Sequence, residues 1–470
     1  MDEKQPNPEA RPPRPDPSSE SPVEKVPDRP ASSEAASPAS SQPAPLPPLP
    51  DRIHLNELHR LTHAELVERA TELRLRFSPD RSRHHLILDL LKFYGHRGVE
   101  LEAEGVVEVT SDNQAFLRWP RFSFKPFPED VSIPRGMVQR LGIQQGHLVS
   151  ARIRPPRDKE RWMVAEEILT IEDIPLSQWT EPKAFDHLTP LFPDHRLILE
   201  NNVTRSLSGR AVDLITPLGR GQRALIVAPP RGGKTMMMKE MARSIRASSP
   251  ETHVILLLID ERPEEVTDLK RDVDAEVFSS TFDENPQRHV QVAEIVIERA
   301  KRLVELKKHV VIMLDSITRL ARGYNNLMPN KGRIMSGGVD AKALTKPKKF
   351  FGAARNVEEG GSLTIIATAL VETNSRMDEV IFEEFKGTGN MELHLARELV
   401  EKRIFPAIHI LNSGTRRDEL LYHPDEYARI TLLRKQLAQL PPMEAMEILV
   451  RQLAATKTNA ELLMRGLSAS

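Results

Sequence analysis

The chain has 470 residues, and its 66 lysines and arginines nearly balance 67 aspartates and glutamates, giving a formal net charge of −1. This length corresponds to about three domains, and the balanced charge restricts nucleic-acid contacts to local basic patches. The absence of cysteine excludes disulfide bonds, a cysteine nucleophile and cysteine-ligated zinc. The longest apolar strand-like run, residues 254–259, is far shorter than the ~18 residues of a membrane helix, so we expect a soluble, cytoplasmic protein.

The first part of the chain changes character near residue 50. Residues 1–50 hold 15 of the 38 prolines and no aromatic residue, and such a segment cannot bury enough apolar surface to offset chain entropy. We predict a disordered Pro/Ser-rich tail over 1–50, either a solvated spacer or a partner-binding segment. Residues 51–98 are predicted to form a small helical module, with a capping box at Thr62 and Glu65. Its basic run, which includes His84 and His85, is expected to be a solvated face or an RNA-facing one.

Residues 99–171 predict an OB-like β-barrel that binds RNA. The strand-like segments are 106–109, 116–119, 122–124, 131–133, 148–153 and 162–165. Aromatic and basic residues interleave along them, and this combination holds single-stranded nucleic acid by stacking on bases and pairing with phosphates. The candidate RNA contacts are Phe116, Arg118, Trp119, Glu160, Arg161 and Trp162, whereas Phe122 and Phe124 are expected in the barrel core.

The remainder of the chain alternates strand-like and helix-like segments. A proline-punctuated connector is predicted over 172–203. Beyond it, strands are predicted at 225–228, 254–260, 310–315, 363–370 and 407–411, a long helix at 288–307, and further helices over 425–464. This order predicts a mostly parallel sheet covered by helices.

The segment 225–235, Leu-Ile-Val-Ala-Pro-Pro-Arg-Gly-Gly-Lys-Thr, has the strand, loop and helix pattern of a phosphate-binding loop. In such a loop the backbone N–H groups and the helix N-terminus hold an anion. Lys234 is then expected to reach the outer phosphates of a nucleotide, and the Thr235 hydroxyl to bind Mg²⁺. Ala228 occupies the position of the motif's usual first glycine, which leaves a chance turn before a helix as the alternative.

Two acidic residues follow predicted strands, at the edge of a parallel sheet where ligands bind. Asp315 is therefore a candidate Mg²⁺ ligand, directly or through water. Glu261 is a candidate base that orients and deprotonates the water attacking the γ-phosphate. The alternatives are a helix N-cap for Asp315 and an ion pair with Arg262 for Glu261.

Four long stretches of this sequence resemble bacterial transcription termination factor Rho: residues 227–235, 258–266, 315–322 and 350–361. The resemblance extends from about residue 53 to the end of the chain. It implies a multidomain α/β protein in which a RecA-like ATPase domain over 204–470 follows the helical module and the OB-like barrel. The implied activity is that of a homohexameric, RNA-dependent ATPase and helicase, which moves 5′ to 3′ along nascent RNA and dismantles the RNA polymerase elongation complex.

The resemblance also implies roles for individual residues. The ATP contacts would be Gly219, Arg220, Gly221, Gln222, Arg223, Ala224, Arg231, Gly232, Gly233, Lys234, Thr235 and Met236, with Arg262 nearby and Phe405 stacked on the adenine. Glu261 would be the catalytic base, Asp315 the Mg²⁺ carboxylate and Arg416 an arginine finger for the neighbouring subunit. Arg319 and Arg403 would couple the subunit interface to the pore, where RNA would be gripped by Lys331, Arg333, Gly337, Gly338 and Arg376.

The chain departs from the family pattern in two stretches. Arg231-Gly232 replaces the common Lys-Ala of the phosphate loop and keeps the charge. In the barrel, Gln114 and Ser132 stand where the family has aromatic residues, which predicts weaker selectivity for cytosine-rich RNA. Two other kinds of protein fit parts of the sequence: a rotary ATP synthase or recombinase-type subunit, and a non-catalytic RNA-binding protein or RNA chaperone whose nucleotide site serves assembly.

Overall fold

The N-terminal helices pack directly on the barrel. In the computed structural model, which describes residues 47–328 and 336–466, the chain begins with β1 (Arg52–His54), α1 (Leu55–Leu58), α2 (His63–Glu72) and α3 (Arg83–His96). The predicted capping box is confirmed, because the Thr62 hydroxyl accepts from the Glu65 N–H and the Glu65 carboxylate accepts from the Thr62 N–H. Residues 1–46 of the predicted tail lie outside the described residues.

The barrel follows as a sheet of seven strands. Its elements are β2 (Glu100–Val109), β3 (Ala115–Arg118), β4 (Val131–Ile133), α4 (Arg135–Leu141), β5 (Leu148–Arg154), β6 (Met163–Ile171) and β7 (Ile174–Pro175). The strand order is β1-β2-β3-β4-β6-β5, and pairing of β2 with β5 closes the barrel. Since β1 belongs to this sheet and the buried leucines of the helices share one core with the barrel strands, the predicted module and the barrel form one structural unit.

The predicted strand at 122–124 is wrong. Pro120–Phe122 form a 3-10 turn instead, because Pro120 has no N–H to give to a ladder and the next two residues, Ser123 and Phe124, have φ of +51° and +66°. Phe124 is fully buried, but not in the barrel core as predicted: it packs into the core of the following domain, with its ring centroid 4.6 Å from that of Phe278. Phe122 is partly buried against the barrel core.

The predicted ATPase domain is a nine-stranded, mostly parallel sheet with helices on both faces. The first ten of its elements in chain order are β8 (Pro190–Leu191), α5 (Leu207–Ile215), β9 (Arg223–Ala228), α6 (Lys234–Ser248), β10 (His253–Glu261), α7 (Pro263–Asp272), β11 (Glu276–Thr281), α8 (Pro286–Glu305), β12 (His309–Asp315) and α9 (Ile317–Asn326). They are followed by α10 (Thr345–Gly352), β13 (Arg355–Val357), β14 (Ser362–Leu370), α11 (Arg376–Lys386), β15 (Met391–His394), α12 (Arg397–Glu401), β16 (Gly414–Thr415), α13 (Pro424–Leu437), α14 (Pro442–Ala455) and α15 (Asn459–Arg465). The strand order is β11-β10-β12-β14-β9-β15-β16.

The central strands have apolar residues on both faces, as expected where helices cover both sides of a sheet. In β10, Leu256 and Leu258 pack into one core, whereas Ile255, Leu257 and Ile259 pack into the other. Because β9, β10, β12 and β14 run parallel, their carboxyl ends meet at one edge. The predicted α/β fold, with a RecA-like ATPase domain behind an OB-like barrel, is confirmed.

Two further sequence predictions need correction. Residues 407–411 are not a strand and contribute one isolated bridge, Leu395 to Ile408, whereas β16 pairs with Met391 and Glu392 at the start of β15. The predicted connector is built into the fold: β8 pairs with β13 of the ATPase sheet, and Phe185 is buried. None of the helices in the described part of the chain is long and apolar enough to cross a bilayer.

The barrel is fastened to the ATPase domain through α8. The Gln291 side-chain amide of α8 donates to the Glu108 carboxylate of β2 at 2.6 Å, and the Arg288 guanidinium of α8 donates to the Ser123 carbonyl. Arg299, further along α8, pairs with Glu172 after β6. These contacts fix the orientation of the barrel relative to the ATPase sheet.

Candidate nucleotide and RNA sites

The predicted phosphate loop lies between β9 and α6. Gly233, the N-cap of α6, has φ of +87° and the helix has no side-chain cap, so the first N–H groups of α6 remain free to meet an anion. Gly232 packs closely, since a Cβ there would lie 2.9 Å from the Pro229 carbonyl oxygen. Arg231, with φ of +61°, is exposed on the outside of the loop.

Lys234 joins the two carboxylates that the sequence placed at the ends of neighbouring strands. Its ammonium donates to Asp315 Oδ2 at 2.6 Å and to Glu261 Oε2 at 3.2 Å. Both carboxylates are almost fully buried. Burial disfavours the charged form of Lys234, but the attraction of Asp315 and Glu261 outweighs this and raises the pKa of the lysine.

Glu261 has the environment of a general base. Burial raises the pKa of Glu261, and the repulsion of Asp315 adds to the rise against the attraction of Lys234 and Arg319. The Arg319 guanidinium lies 3.7 Å from Glu261 and 4.0 Å from Asp260. A carboxylate with a raised proton affinity accepts a proton from water more readily. The alternative ion pair of Glu261 with Arg262 is not formed, since Arg262 is the exposed N-cap of α7.

Two residues that the sequence reasoning did not single out complete the cluster. The Thr368 hydroxyl donates to Asp315 Oδ1 at 2.7 Å, and the Thr235 hydroxyl donates to Glu265 Oε2 at 3.2 Å. Thr368 was detectable as the polar residue near the end of a predicted apolar strand, and Glu265 as part of the acidic run after Glu261. Carboxylate and hydroxyl oxygens are the ligands that Mg²⁺ prefers, so Thr235 and Asp315 fit that ion.

Phe405, the residue expected to stack on adenine, lies beside the phosphate loop. A cleft of about 340 Å³ is lined by Gly233 and Met236 of the loop and by Phe405. Both side chains are exposed, Phe405 by 49% and Met236 by 58%. Arg403, two residues earlier, is also exposed. The structure therefore brings together a phosphate-type site and an adjacent apolar surface of the kind that stacks on a base.

The segment Gly219–Ala224 does not reach this site within one chain. It precedes and begins β9, whereas the phosphate loop follows β9, and a six-residue strand spans roughly 20 Å. Arg416 lies at the same distant edge, where its backbone N–H donates to the Asn390 carbonyl at the start of β15. Burial, together with the nearby cations of Arg355 and Arg416, lowers the pKa of Arg223. The predicted ATP residues thus divide between two opposite edges of the sheet.

The described parts of the two predicted pore segments touch each other. A Cβ on Gly337, which has φ of +78°, would lie 2.8 Å from the Arg376 carbonyl carbon, so the glycine permits this close approach. Arg376 is exposed at the first turn of α11, and Gly338 is exposed as well. Lys331 and Arg333 lie outside the described residues.

The aromatic surface of the barrel is built from β3 and the start of β6. The ring centroids of Phe116 and Trp162 lie 5.5 Å apart in an edge-to-face contact, and the Arg161 guanidinium lies 4.9 Å from the Trp162 ring. Glu160 is held by two hydrogen bonds from Arg154 at 2.6 and 2.8 Å, and these bonds lower the pKa of Glu160 to about 2. Glu160, Arg161 and the half-buried Trp162 form one surface, which we call the aromatic platform. Phe116 is only 5% exposed, so it supports Trp162 from inside the barrel and does not present an open ring face.

Two predicted RNA contacts are internal to the protein. Trp119 is 1% exposed, so neither face of its ring is open to a base. Arg118 is buried and pairs with Glu108 at 2.5 Å and with Asp130, so its charge is already compensated. Its guanidinium lies 5.0 Å from the Phe116 ring. We therefore conclude that Arg118 supports the Phe116 ring, and we remove Trp119 and Arg118 from the candidate RNA contacts.

Comparison with known proteins matches both domains to known families. Residues 103–176 match the Rho termination factor, RNA-binding domain, and residues 209–415 match the ATP synthase alpha/beta family, nucleotide-binding domain. A protein of Akkermansia muciniphila named transcription termination factor Rho is 51% identical over 420 residues, covering 89% of this chain and 88% of that protein. The protein of that name from Pseudomonas aeruginosa is 51% identical over 414 residues, covering 87% and 98%.

Among solved structures, an ATPase from the type III secretion system of pathogenic bacteria is similar with a TM-score of 0.50 at 22% identity, over 59% of this chain and 86% of that chain. At this identity the likeness concerns the fold of the ATPase domain alone. The two matched domains and the identity over nearly the full length of the relatives lead to one family. The chain belongs to the transcription termination factor Rho family, and it joins that family's RNA-binding domain to an ATPase domain.

Proposed function

We propose that this chain is an RNA-stimulated ATPase and 5′ to 3′ RNA helicase that works as a homohexamer, binds nascent RNA and terminates transcription by dismantling the RNA polymerase elongation complex. The observation that carries the proposal is the buried cluster of Lys234, Glu261 and Asp315 at the phosphate loop, in the same compact unit as the aromatic platform. The role requires the bacterial cytoplasm, where nascent RNA is made.

The proposed chemistry is ATP hydrolysis by an activated water. Lys234 and the first N–H groups of α6 bind the phosphates and stabilise the charge that develops on them. Glu261 orients the attacking water and takes its proton, and Thr368 holds the Asp315 carboxylate in place. Thr235 and Asp315 would hold Mg²⁺, which when bound neutralises phosphate charge.

We assign the coupling between ATP hydrolysis and RNA movement to α9. Three of its residues, spaced three apart, reach different parts of the machinery: Arg319 lies near Glu261, Arg322 binds Asp378, and Asn325 contacts Gly338. Asp378 is buried in α11, the helix that begins with Arg376. A shift of α9 at the catalytic carboxylates therefore moves both described pore segments.

The distribution of predicted ATP residues over two opposite edges supports a ring. A single chain presents Lys234, Thr235 and Glu261 at one edge, and a cationic group that includes Arg223, Arg355 and Arg416 at the other. In a head-to-tail ring the second edge of one subunit meets the first edge of the next. We propose that Arg416 thereby reaches the γ-phosphate bound by its neighbour.

ATP hydrolysis measured with and without single-stranded RNA tests the proposal. We expect little hydrolysis by the full chain alone and strong stimulation by RNA, because both sites are present in one unit. A rate that is indifferent to RNA would favour a rotary type of ATPase, and no hydrolysis under either condition would favour an RNA-binding protein or chaperone. Glu261→Gln, which keeps the size of the side chain but not its basicity, is the control for contaminating ATPases.

The aromatic platform leads to a prediction about RNA selectivity. Ser132 lies directly opposite Phe116 in the β3–β4 ladder, and Gln114 is exposed two residues before Phe116, so two stacking surfaces of the family pattern are missing. Each stacked base contributes ~1–3 kcal/mol. We expect only a small preference for oligo-cytidine over oligo-adenosine in competition with the full protein, and roughly tenfold tighter oligo-cytidine binding by Gln114→Phe.

The matched control is Gln178→Phe. Gln178 is exposed and lies just after β7, which pairs with the C-terminal end of β6, whereas Trp162 lies at the opposite end of that strand. This substitution adds the same ring away from the platform and is expected to leave both affinities unchanged. Competition at two salt concentrations separates stacking from phosphate contacts, since only the latter weaken strongly with salt. A strong cytidine preference in the unmodified protein that Gln114→Phe does not alter would contradict this prediction.

A further inference from the structure

Three metal-ligating side chains meet where the N-terminal helices pack on the barrel. His59 is the C-cap of α1, His84 lies in the first turn of α3, and Glu129 precedes β4. His59 Nε2 lies 3.0 Å and His84 Nδ1 2.5 Å from Glu129 Oε1. The three segments are distant in sequence, and none of these residues belongs to the nucleotide site or the aromatic platform.

We propose that His59, His84 and Glu129 bind a divalent transition-metal ion, with Zn²⁺ as the first candidate, and that the ion ties the helical module to the barrel. Two imidazoles and a carboxylate are a ligand set that zinc uses, with water in the fourth position. In a tetrahedral site with bonds of about 2.0–2.1 Å, the ligand atoms lie about 3.3 Å apart. The atoms of this cluster all lie within 4.8 Å of one another, so small movements suffice to reach that geometry.

The second carboxylate oxygen is an independent sign of a missing ligand. Glu129 is fully buried, and its Oε2 has no hydrogen-bond partner among the described residues. Buried polar atoms are nearly always satisfied, and a buried carboxylate without a full set of partners is costly. A cation in the cluster would compensate this charge directly.

The surroundings hold the imidazoles in place. His84 stacks on Phe127 with ring centroids 3.6 Å apart and planes 12° apart, and His59 meets Trp119 at 4.9 Å and Phe122 at 5.1 Å. Arg83, the residue before His84 on α3, directs its guanidinium to the carbonyls of His59 and Leu61. These aromatic walls restrict the rings to the orientation in which their nitrogens face Glu129.

The test is zinc binding by the full chain after removal of metal with a chelator. We expect one zinc per chain, retained on gel filtration and measured by elemental analysis, and a rise in Tm on adding zinc. His84→Gln and Glu129→Gln should each weaken zinc binding at least ~10-fold and abolish the rise in Tm. Substitution by Co²⁺ should give the visible absorption bands of a four-coordinate site.

His85→Gln is the matched control. His85 is the exposed neighbour of His84, and its ring contacts the Ser82 hydroxyl, so its loss should change neither zinc content nor Tm. Glu129→Gln retains the shape of the side chain and one oxygen that accepts hydrogen bonds, which separates loss of metal from loss of folding. Equal zinc content in the unmodified protein and in both His84→Gln and Glu129→Gln, or no zinc above background in any of them, would overturn the proposal and leave a metal-free hydrogen-bonded cluster.

Discussion

Replacing Arg416 with alanine is expected to lower RNA-stimulated ATP hydrolysis by roughly 10³- to 10⁵-fold, the range of arginine fingers in other phosphoryl-transfer systems. Arg416 is exposed, it has no ion-pair partner within the described ranges, and it lies at the edge opposite Lys234. Its loss should therefore leave folding and RNA binding by the barrel intact. Steady-state ATPase assays with saturating RNA measure the effect.

Arg417→Ala is the matched control for position and charge. Arg417 is the next residue, but it pairs with Glu419 at 2.9 Å and is expected to contribute little to the rate. Mixing Arg416→Ala with Lys234→Ala protein should restore part of the activity, since some interfaces then combine an intact Lys234 with an intact Arg416. A failure of rescue in rings shown to contain both variants would rule out a site shared between subunits.

Lys234→Ala is expected to reduce ATP hydrolysis by about 10²- to 10³-fold, because the lysine both binds the phosphates and stabilises the charge that develops on them. The substitution also removes the cation that bridges the buried carboxylates of Asp315 and Glu261, and leaves Arg319, 3.7 Å from Glu261, as the neighbouring positive charge. Binding of nucleotide should therefore weaken together with the rate. Nucleotide affinity, hydrolysis and RNA binding measured on the same preparation separate these effects.

Lys239→Ala is the control, because it tests whether the loss of another lysine from α6 also reduces ATP hydrolysis. Lys239 lies on the same helix and pairs with Asp268 and Asp272 of α7 rather than with Asp315. We expect a nearly normal rate per folded protein for this variant. Hydrolysis by Lys234→Ala close to the unmodified rate would show that the phosphate loop is not the catalytic site.

The central strands β10 and β12 of the ATPase domain were predictable because they are continuous apolar runs that end in charged residues. Residues 254–260 and 310–315 were correctly predicted as strands, and the rule that ligands bind at carboxyl ends then brought Glu261 and Asp315 together. Gly219 precedes β9 and Lys234 follows it, so the same rule would have placed the two residues at opposite edges of the sheet. The resemblance implied that Gly219 and Lys234 both contact ATP, but not that they could serve different subunits.

Contacts across the barrel were not predictable, since they depend on strand register and on segments distant in sequence. The charge of Arg118 suggested a phosphate contact, but Glu108 on the paired strand and Asp130 before β4 compensate it inside the protein. His84 stood in a basic run and gave no sign of Glu129, 45 residues further along. A single sequence shows which residues carry charge and does not show which of them are already paired.

The attachment of the barrel to α8 means that two separate RNA contacts on one chain would strengthen each other. Because Glu108 binds both Arg118 of the barrel and Gln291 of α8, the position of the aromatic platform is fixed relative to α8. In the proposed function, RNA bound to the platform would therefore be held at a fixed distance from the exposed Arg376. A second contact at Arg376 would then form at a high effective concentration, and individually weak contacts would combine into strong binding. An oligonucleotide too short to span this distance would bind the platform and leave ATP hydrolysis unstimulated.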